Sequence, residues 1–164
     1  MKNSQHPRSR GPQIRWLLLL LQCCIASELF AETLILTCTR FERDFSETYE
    51  LKIVTAGPGA PKGKVFLDSR DLDRTGADGE QSVKNVLISK QKASYLVDTK
   101  FEPEMLEGIA YSAGSVMSMV MIDRETGKLR KVDTIQGGIL GKNLGDGTRS
   151  YEEQCVAPPM ISAN

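Results

Sequence analysis

Apolar side chains recur at every second position through most of this chain, and this period constrains its fold more than any other feature. The segments 33–41 and 49–54 show the alternation most clearly. A period of two is that of a β-strand with one buried face. Glycine and proline residues separate the alternating segments, most densely at 56–63, which predicts a turn or loop there. We count about seven to nine short strands, which predict an all-β fold: one small antiparallel barrel or sandwich, with room for one short helix.

Some segments fit more than one period or no regular structure. Two strands are predicted at 83–89 and 93–98, but Val83, Val86 and Val97 also fit one face of a helix, so a helix is the alternative there. The polar segment 68–81, the segment 99–108 and the glycine-rich segment 136–148 are predicted to be loops.

The clearest local signal is the sequence Ile-Asp-Arg-Glu-Thr-Gly-Lys-Leu at 122–129. An apolar strand ends, a polar turn follows, and alternation resumes at Leu129. The pattern predicts a β-hairpin in which Gly127 takes a positive φ angle.

The N-terminal segment has the layout of a secretory signal peptide. Four basic residues precede an apolar run at 16–25, and small residues follow it. Residues 1–31 are therefore predicted to be removed after export, with cleavage after Ala31. A spanning helix would need about 20 apolar residues, and Gln22 and Glu28 interrupt the run too early. In an alternative interpretation, Cys23 belongs to a bacterial lipobox and anchors an acylated chain to a membrane.

Removal of residues 1–31 changes the composition of the working domain. It takes away His6, Trp16 and two of the four cysteines, and it leaves 17 of the 21 basic and 20 of the 21 acidic side chains, a net charge of −3. A dedicated nucleic-acid binder normally carries a basic excess, so no nucleic-acid partner is predicted. The remaining chain is predicted to form one β domain at 32–157 and a flexible tail at 158–164, with no transmembrane segment.

The two remaining cysteines, Cys38 and Cys155, lie in the first and last apolar segments. In an exported chain such a pair most simply forms one disulfide, with two free thiols as the alternative. A disulfide needs Cα atoms within about 7 Å of each other. The first and last strands are therefore predicted to be neighbours or to lie on facing sheets.

The composition also limits catalysis. Without a histidine in the exported chain, Ser-His-Asp and Cys-His catalysis and histidine-ligated metals are excluded for that chain on its own. No spacing singles out a pair of carboxylates of the kind that hydrolyses glycosidic bonds. No catalytic residue is predicted, and the protein is expected not to be an enzyme.

One acidic segment partly matches a calcium-binding loop. Asp71, Asp73, Thr75 and Asp78 could supply oxygen ligands around a glycine turn. The twelfth position of such a loop should be a bidentate glutamate, and here it is Ser82. A solvated loop is the simpler interpretation, with calcium as the alternative and no other cofactor predicted.

Met117, Met119 and Met121 share one face of a strand whose other face is also apolar. The simpler interpretation is a central strand buried on both sides. The alternative is a ligand or partner surface, on a methionine-lined face or in a barrel interior, for an unknown protein or a small apolar ligand. Ser112 and Ser115 are included in this candidate surface.

Three features together resemble a loose class of small bacterial periplasmic β-proteins: the signal peptide followed by a strand with Cys38, the hairpin at 122–129, and Cys155 in the last strand. The chain also resembles the membrane-bound inhibitors of C-type lysozyme in its size, its export, its expected antiparallel barrel and its disulfide. Their active loop carries a Ser-Ala-Ser-Gly type motif, which the sequence Ser-Ala-Gly-Ser at 112–115 matches in part.

These observations predict a periplasmic or secreted, non-catalytic protein that binds a partner or associates with the cell envelope. The resemblance implies one alternative, an inhibitor of a lysozyme-like hydrolase. A second alternative is a small hydrolase that uses carboxylates.

Overall fold

The computed structural model describes residues 31–42, 44–57, 61–77 and 79–158. The predicted signal peptide, apart from Ala31, and residues 159–164 of the predicted tail lie outside the described residues. The described chain contains twelve strands and one short helix. Eight of the strands carry the architecture: β1 (Thr33–Glu42), β2 (Phe45–Val54), β3 (Lys64–Leu67), β6 (Gly79–Ile88), β7 (Lys92–Phe101), β10 (Gly114–Asp123), β11 (Lys128–Gly137) and β12 (Gly147–Val156). The others are short: β4 (Arg70–Asp71), β5 (Arg74–Gly76), β8 (Glu104–Leu106), β9 (Ile109–Tyr111) and the helix α1 (Gly138–Leu144).

Ten strands form one antiparallel sheet in the order β4-β3-β2-β1-β12-β11-β10-β7-β6-β5. Among the eight architectural strands, each pairs with the next one along the chain, apart from β3 and β6, which share no ladder in the described ranges. In addition, the first strand, β1, pairs with the last, β12. This is the connectivity of an up-and-down β-barrel. The predicted all-β fold is confirmed.

The two edges of the sheet approach each other, so the sheet is barrel-like without a continuous ladder. The segment 70–76 pairs first with β3 and then with β6, and so lies at both edges. Asp73 Oδ1 accepts a hydrogen bond from the Val83 amide at 2.6 Å, and Gln81 Nε2 donates to the Leu72 carbonyl at 2.8 Å. Side chains from β3 and β6 join one core, in which Val65 and Val83 are both fully buried.

The barrel interior changes character along its axis. We call the end that holds Thr33 and Val156 the terminal end, and the opposite end, where β1 ends and β12 begins, the open end. Inward side chains nearer the terminal end are apolar and buried, among them Ile53, Ile122 and Leu129. Inward positions on β11 and β12 also hold polar residues: Glu153 lies directly opposite Leu129, and Asp133 lies farther toward the open end. Buried apolar side chains therefore fill the interior near the terminal end.

Cys38 and Cys155 form a disulfide inside the barrel. The two residues are direct partners across the β1–β12 ladder, with Cα atoms 3.9 Å apart, and both are buried. The predicted pairing and the predicted contact between the first and last strands are confirmed.

The hairpin at 122–129 is present as predicted. It joins β10 to β11, and Gly127 has a φ of 72°. A Cβ atom at this position would collide with the carbonyl oxygen of Cys155, and the Gly127 carbonyl accepts a hydrogen bond from the Cys155 amide at 2.8 Å. Glycine is required here both by its backbone angle and by this close approach.

Several predictions about loops were wrong. The segment 68–81 contains β4, β5 and the start of β6; the segment 99–108 contains the end of β7 and β8; and part of 136–148 forms α1. Short polar strands lack an alternating apolar face, so their pattern resembles that of a loop. The helical alternative for 83–98 was also wrong, because both β6 and β7 are strands, with a bulge between Lys84 and Leu87.

Candidate functional site

A pocket opens into the barrel from the open end. It has a volume of about 250 Å³. We call it the mouth pocket. Seven strands and one turn contribute the side chains of its wall: Arg40, Glu47, Tyr49, Leu67, Asp68, Arg70, Tyr95, Val120, Leu129 and Lys131. Five of these ten side chains carry a formal charge and two are tyrosines, so the wall is mainly polar.

A buried hydrogen-bonded network forms one side of the mouth pocket. Glu153 lies on β12 with its side chain only 1% exposed. Its Oε1 accepts a hydrogen bond from Arg40 Nε at 3.1 Å, and its Oε2 accepts one from the Tyr49 hydroxyl at 2.5 Å. Both carboxylate oxygens are therefore occupied, which is the condition under which a buried charge is tolerated.

The network shifts the ionisation of its members. Burial, together with the hydrogen bond to Glu153 and its negative charge, raises the pKa of Tyr49 far above the ordinary value of a tyrosine. Burial acts to lower the pKa of Arg40, but the hydrogen bond and charge of Glu153 outweigh it and raise that pKa. Tyr49 is therefore a neutral donor and Arg40 a permanent cation at physiological pH.

Tyr95 reaches the mouth pocket from β7. Its side chain is largely enclosed, since the residue is 6% exposed. Burial and the negative charge of Glu153 raise its pKa well above the ordinary value, and no hydrogen bond to the protein contributes to this shift. Every fully enclosed side-chain nitrogen or oxygen in the described part of the chain has a partner, so the Tyr95 hydroxyl must be accessible from the pocket. It is a neutral hydroxyl on a residue that lines the mouth pocket.

A second buried polar cluster lies on β10 and β11. Ser118 donates a hydrogen bond to Asp133 Oδ1 at 2.6 Å, and Lys131 Nζ lies 3.1 Å from Asp133 Oδ2. Lys131 also lies over the ring of Tyr151, 5.7 Å from its centroid. Asp133 thus holds Lys131 at the pocket wall.

The two buried carboxylates are not close to each other. Asp133 on β11 is paired in register with Arg149 on β12, and Glu153 lies four residues after Arg149. With a rise of about 3.4 Å per residue, the two carboxylate positions are separated by about 14 Å along the strand direction. Each also has its own cationic partner. This geometry does not correspond to a pair of carboxylates acting together on one bond.

The structure places the predicted methionine surface outside the barrel. Met117, Met119 and Met121 are 49%, 46% and 40% exposed, while Val120 and Ile122 on the opposite face of β10 are buried. The interpretation of β10 as a strand buried on both sides was wrong, and the methionines do not line the interior. They remain a candidate partner surface on the outer wall.

Ser112 and Ser115 lie at the open end, just before β10 and near its start. They follow the hairpin of β8 and β9, which projects from the barrel and exposes Met105 and Ile109. Gly114 packs against Gly138 of α1 so closely that a Cβ atom would lie 2.6 Å from the Gly138 Cα. The base of the hairpin is therefore fixed against the helix.

The predicted calcium ligands take part in other contacts. Asp71 Oδ2 binds Lys64 Nζ at 2.5 Å, its Oδ1 accepts from the Asp73 amide, and Asp73 Oδ1 binds the Val83 amide. Burial acts to raise the pKa of Asp71, but the hydrogen bonds from Lys64 and the Asp73 amide hold it below its usual value. Thr75 is exposed on β5, and Asp78 lies outside the described residues. No group of three or more histidine, cysteine or acidic residues suited to a metal ion occurs in the described ranges.

Sequence reasoning missed the residues that form the mouth pocket. Their signal was present: Arg40 continues the inward series of Leu36 and Cys38, and Glu153 continues that of Cys155, so each is a charged residue at an otherwise apolar position. A charge at the buried phase of a strand indicates either a paired interior charge or a site.

Comparisons of the chain with family models, with curated proteins and with solved structures found no match. In the described part of the chain, no helix has the length and apolar character needed to cross a membrane.

Proposed function

We propose that the protein is an exported, non-catalytic binding module that takes a small polar ligand into the mouth pocket. The observation that carries this proposal is Tyr95, a largely buried residue of the pocket wall whose hydroxyl makes no hydrogen bond to the described part of the chain. A hydroxyl whose ring is held in place by burial, and which stays open to the pocket, is a preorganised hydrogen-bonding group for a ligand.

The surrounding wall supports the same function. Ligand pockets in proteins usually combine an apolar lining with a few fixed polar groups. Here Leu67, Val120 and Leu129 supply apolar surface, and the Arg40–Glu153–Tyr49 network fixes its polar groups in advance. The charged wall suits a polar guest better than the small apolar ligand expected from the methionines.

The disulfide and the predicted signal peptide also bear on where the protein would carry out this function. A disulfide that joins the first and last strands is typical of an oxidising compartment, and the predicted signal peptide would direct the chain there. We therefore propose a periplasmic or secreted location.

The test is a screen of water-soluble fragments followed by amide NMR spectra of the ¹⁵N-labelled protein. Binders should shift the amides around Tyr95 and Val120. The Tyr95→Phe variant should weaken them about fivefold, which corresponds to one ordinary hydrogen bond. Tyr111→Phe, which removes a hydroxyl outside the mouth pocket, is the matched control and should have no effect. A screen whose only binders shift amides on the outer wall would refute the proposal.

A second candidate is inhibition of a lysozyme-like hydrolase, and the position of Ser112 and Ser115 favours it. Both lie at the open end beside the fixed, projecting hairpin, where a partner protein can reach them. The purified protein should then slow a C-type muramidase at stoichiometric concentration, and Ser112→Trp should abolish the effect. Ser150→Trp, on the outer face of β12, is the control. Full muramidase activity at a molar excess of the protein would exclude this candidate.

A further inference from the structure

Three charged side chains at the entrance of the mouth pocket form no salt bridge with the described part of the chain. Glu47 lies near the start of β2, Asp68 in the turn after β3, and Arg70 on β4, and all three contribute to the pocket wall. None of them is within 4.0 Å of an opposite charge in the part of the chain that the structure describes. One oxygen of Asp68 accepts a hydrogen bond from the Glu50 amide, which fixes that carboxylate in position.

The deeper charges of the wall are already matched. Arg40 is bound to Glu153, and Lys131 is bound to Asp133. A ligand entering the pocket therefore meets two carboxylates and one guanidinium that form no salt bridge with described residues, although Glu47 lies opposite Arg40 on the β1–β2 ladder and interacts with its charge. An anion would be repelled by Glu47 and Asp68, and a simple cation would face Arg70 without offering it a partner.

Resting on the proposed function, we propose that the ligand is a small zwitterion with an ammonium and a carboxylate group, such as a free amino acid or a short peptide. Arg70 binds the carboxylate, because a guanidinium matches the two oxygens of that group. Glu47 and Asp68 bind the ammonium. Both charges of the ligand are then neutralised by groups that otherwise form no salt bridge with the described residues.

The interior of the pocket fits the rest of such a molecule. Its volume of about 250 Å³ equals that of about eight water molecules in the liquid, which is the size range of an amino acid. Leu67, Val120 and Leu129 offer apolar contact to a side chain, and the Tyr95 hydroxyl offers one hydrogen bond farther in.

The first test uses the wild-type protein and compares matched small molecules. The probes are the standard amino acids and, for each one that binds, its carboxamide and its N-acetyl derivative. Affinity is measured by titration while amide shifts confirm the mouth pocket as the location. Removal of either charge should weaken binding at least about tenfold, because each group forms charge-assisted hydrogen bonds. Raising the ionic strength should weaken the zwitterion less than its cationic carboxamide.

The second test uses variants at the entrance. Arg70→Gln and Glu47→Gln should each weaken the zwitterion about tenfold. The matched controls are Arg130→Gln on the outer face of β11 and Glu50→Gln on the outer face of β2, and neither should change the affinity. Both positions are exposed, so the variants should fold with the unfolding midpoint of the wild type. If a variant fails to fold, the wild-type comparison of capped probes still decides.

The outcomes separate this inference from the proposed function. Fragments that bind in the mouth pocket equally well with one charge or none, while no amino acid binds, would overturn the zwitterion assignment and leave the binding function standing. The absence of any binder in the mouth pocket would overturn both.

Discussion

Arg40 tests whether the mouth pocket is built as described. Its guanidinium is the cationic partner of Glu153, whose side chain is 1% exposed. Replacement by methionine keeps much of the volume of the side chain and leaves the carboxylate buried with only the Tyr49 hydroxyl as a partner. Removal of one member of a buried ion pair usually costs about 3–5 kcal/mol.

The expected loss for Arg40→Met is somewhat smaller, because 36% of the Arg40 side chain is exposed and water can reach this side of the pair. We expect a decrease of about 2–4 kcal/mol in the free energy of unfolding. For a domain of this size that decrease lowers the unfolding temperature by on the order of 10 °C. The assay is urea unfolding of the disulfide-bonded protein, followed by circular dichroism.

The double variant Arg40→Met/Glu153→Gln isolates the cause. Glutamine carries no charge and can still accept the Tyr49 hydrogen bond, so the second substitution should restore at least half of the loss. Arg130→Met removes an arginine from the outer wall and should change stability by less than about 0.5 kcal/mol. If Arg40→Met behaves like Arg130→Met, or if Glu153→Gln worsens the loss, the buried-pair interpretation is refuted.

Three further predictions concern ionisation, the disulfide and calcium. Of the four tyrosines, Tyr49 and Tyr95 should stay protonated when tyrosinate absorbance is followed through pH 10 to 11. The pKa of each is raised in the folded state, so their contribution to stability is complete below pH 10, the pKa of an unfolded tyrosine. This contribution is lost as the pH rises above that value. A titration of all four tyrosines near pH 10 in the folded protein would contradict the prediction. Intact-mass measurement after alkylation without reductant should show no modified thiol at Cys38 or Cys155, and alkylation of the unreduced protein would disprove the pairing. Removal of the disulfide by Cys38→Ala/Cys155→Ala should lower the free energy of unfolding by about 4–5 kcal/mol, since the closed loop spans 117 positions. Thermal melts with calcium and with chelator should have the same midpoint, because Asp71 and Asp73 already bind protein groups, whereas a higher midpoint in calcium would establish the ion site.

The sequence predicted those features that depend on local pattern. Alternation identified the strands that carry Leu36, Leu51 and Leu129 inward, and the turn chemistry at Gly127 predicted both the hairpin and its positive φ. Two cysteines in a chain predicted to be exported were enough to predict a disulfide and, through its geometry, the contact between the first and last strands. The short polar strands and α1 escaped prediction because they have no periodic apolar face.

The candidate site was not predictable in the same way. On β10 both faces are apolar, so its pattern could not distinguish the methionine face from the face of Val120. Arg40 and Glu153 are 113 positions apart, and their contact exists because β1 pairs with β12.

A strand pattern with a period of two divides the side chains of each strand into two sets, one for each face. The amino-acid sequence by itself determined this division, the all-β class of the chain, its clearest turn and the pairing of its cysteines. Which set faces the interior was decided by the direction in which the sheet curves, and that direction depends on contacts between strands far apart in the chain. The tertiary structure therefore placed the methionines outside, gathered Arg40, Tyr95 and Glu153 in one half of the barrel, and left Glu47, Asp68 and Arg70 around its entrance. Burial and charge at the mouth pocket are products of that curvature, since a side chain acquires its surroundings only when the two edges of the sheet approach each other.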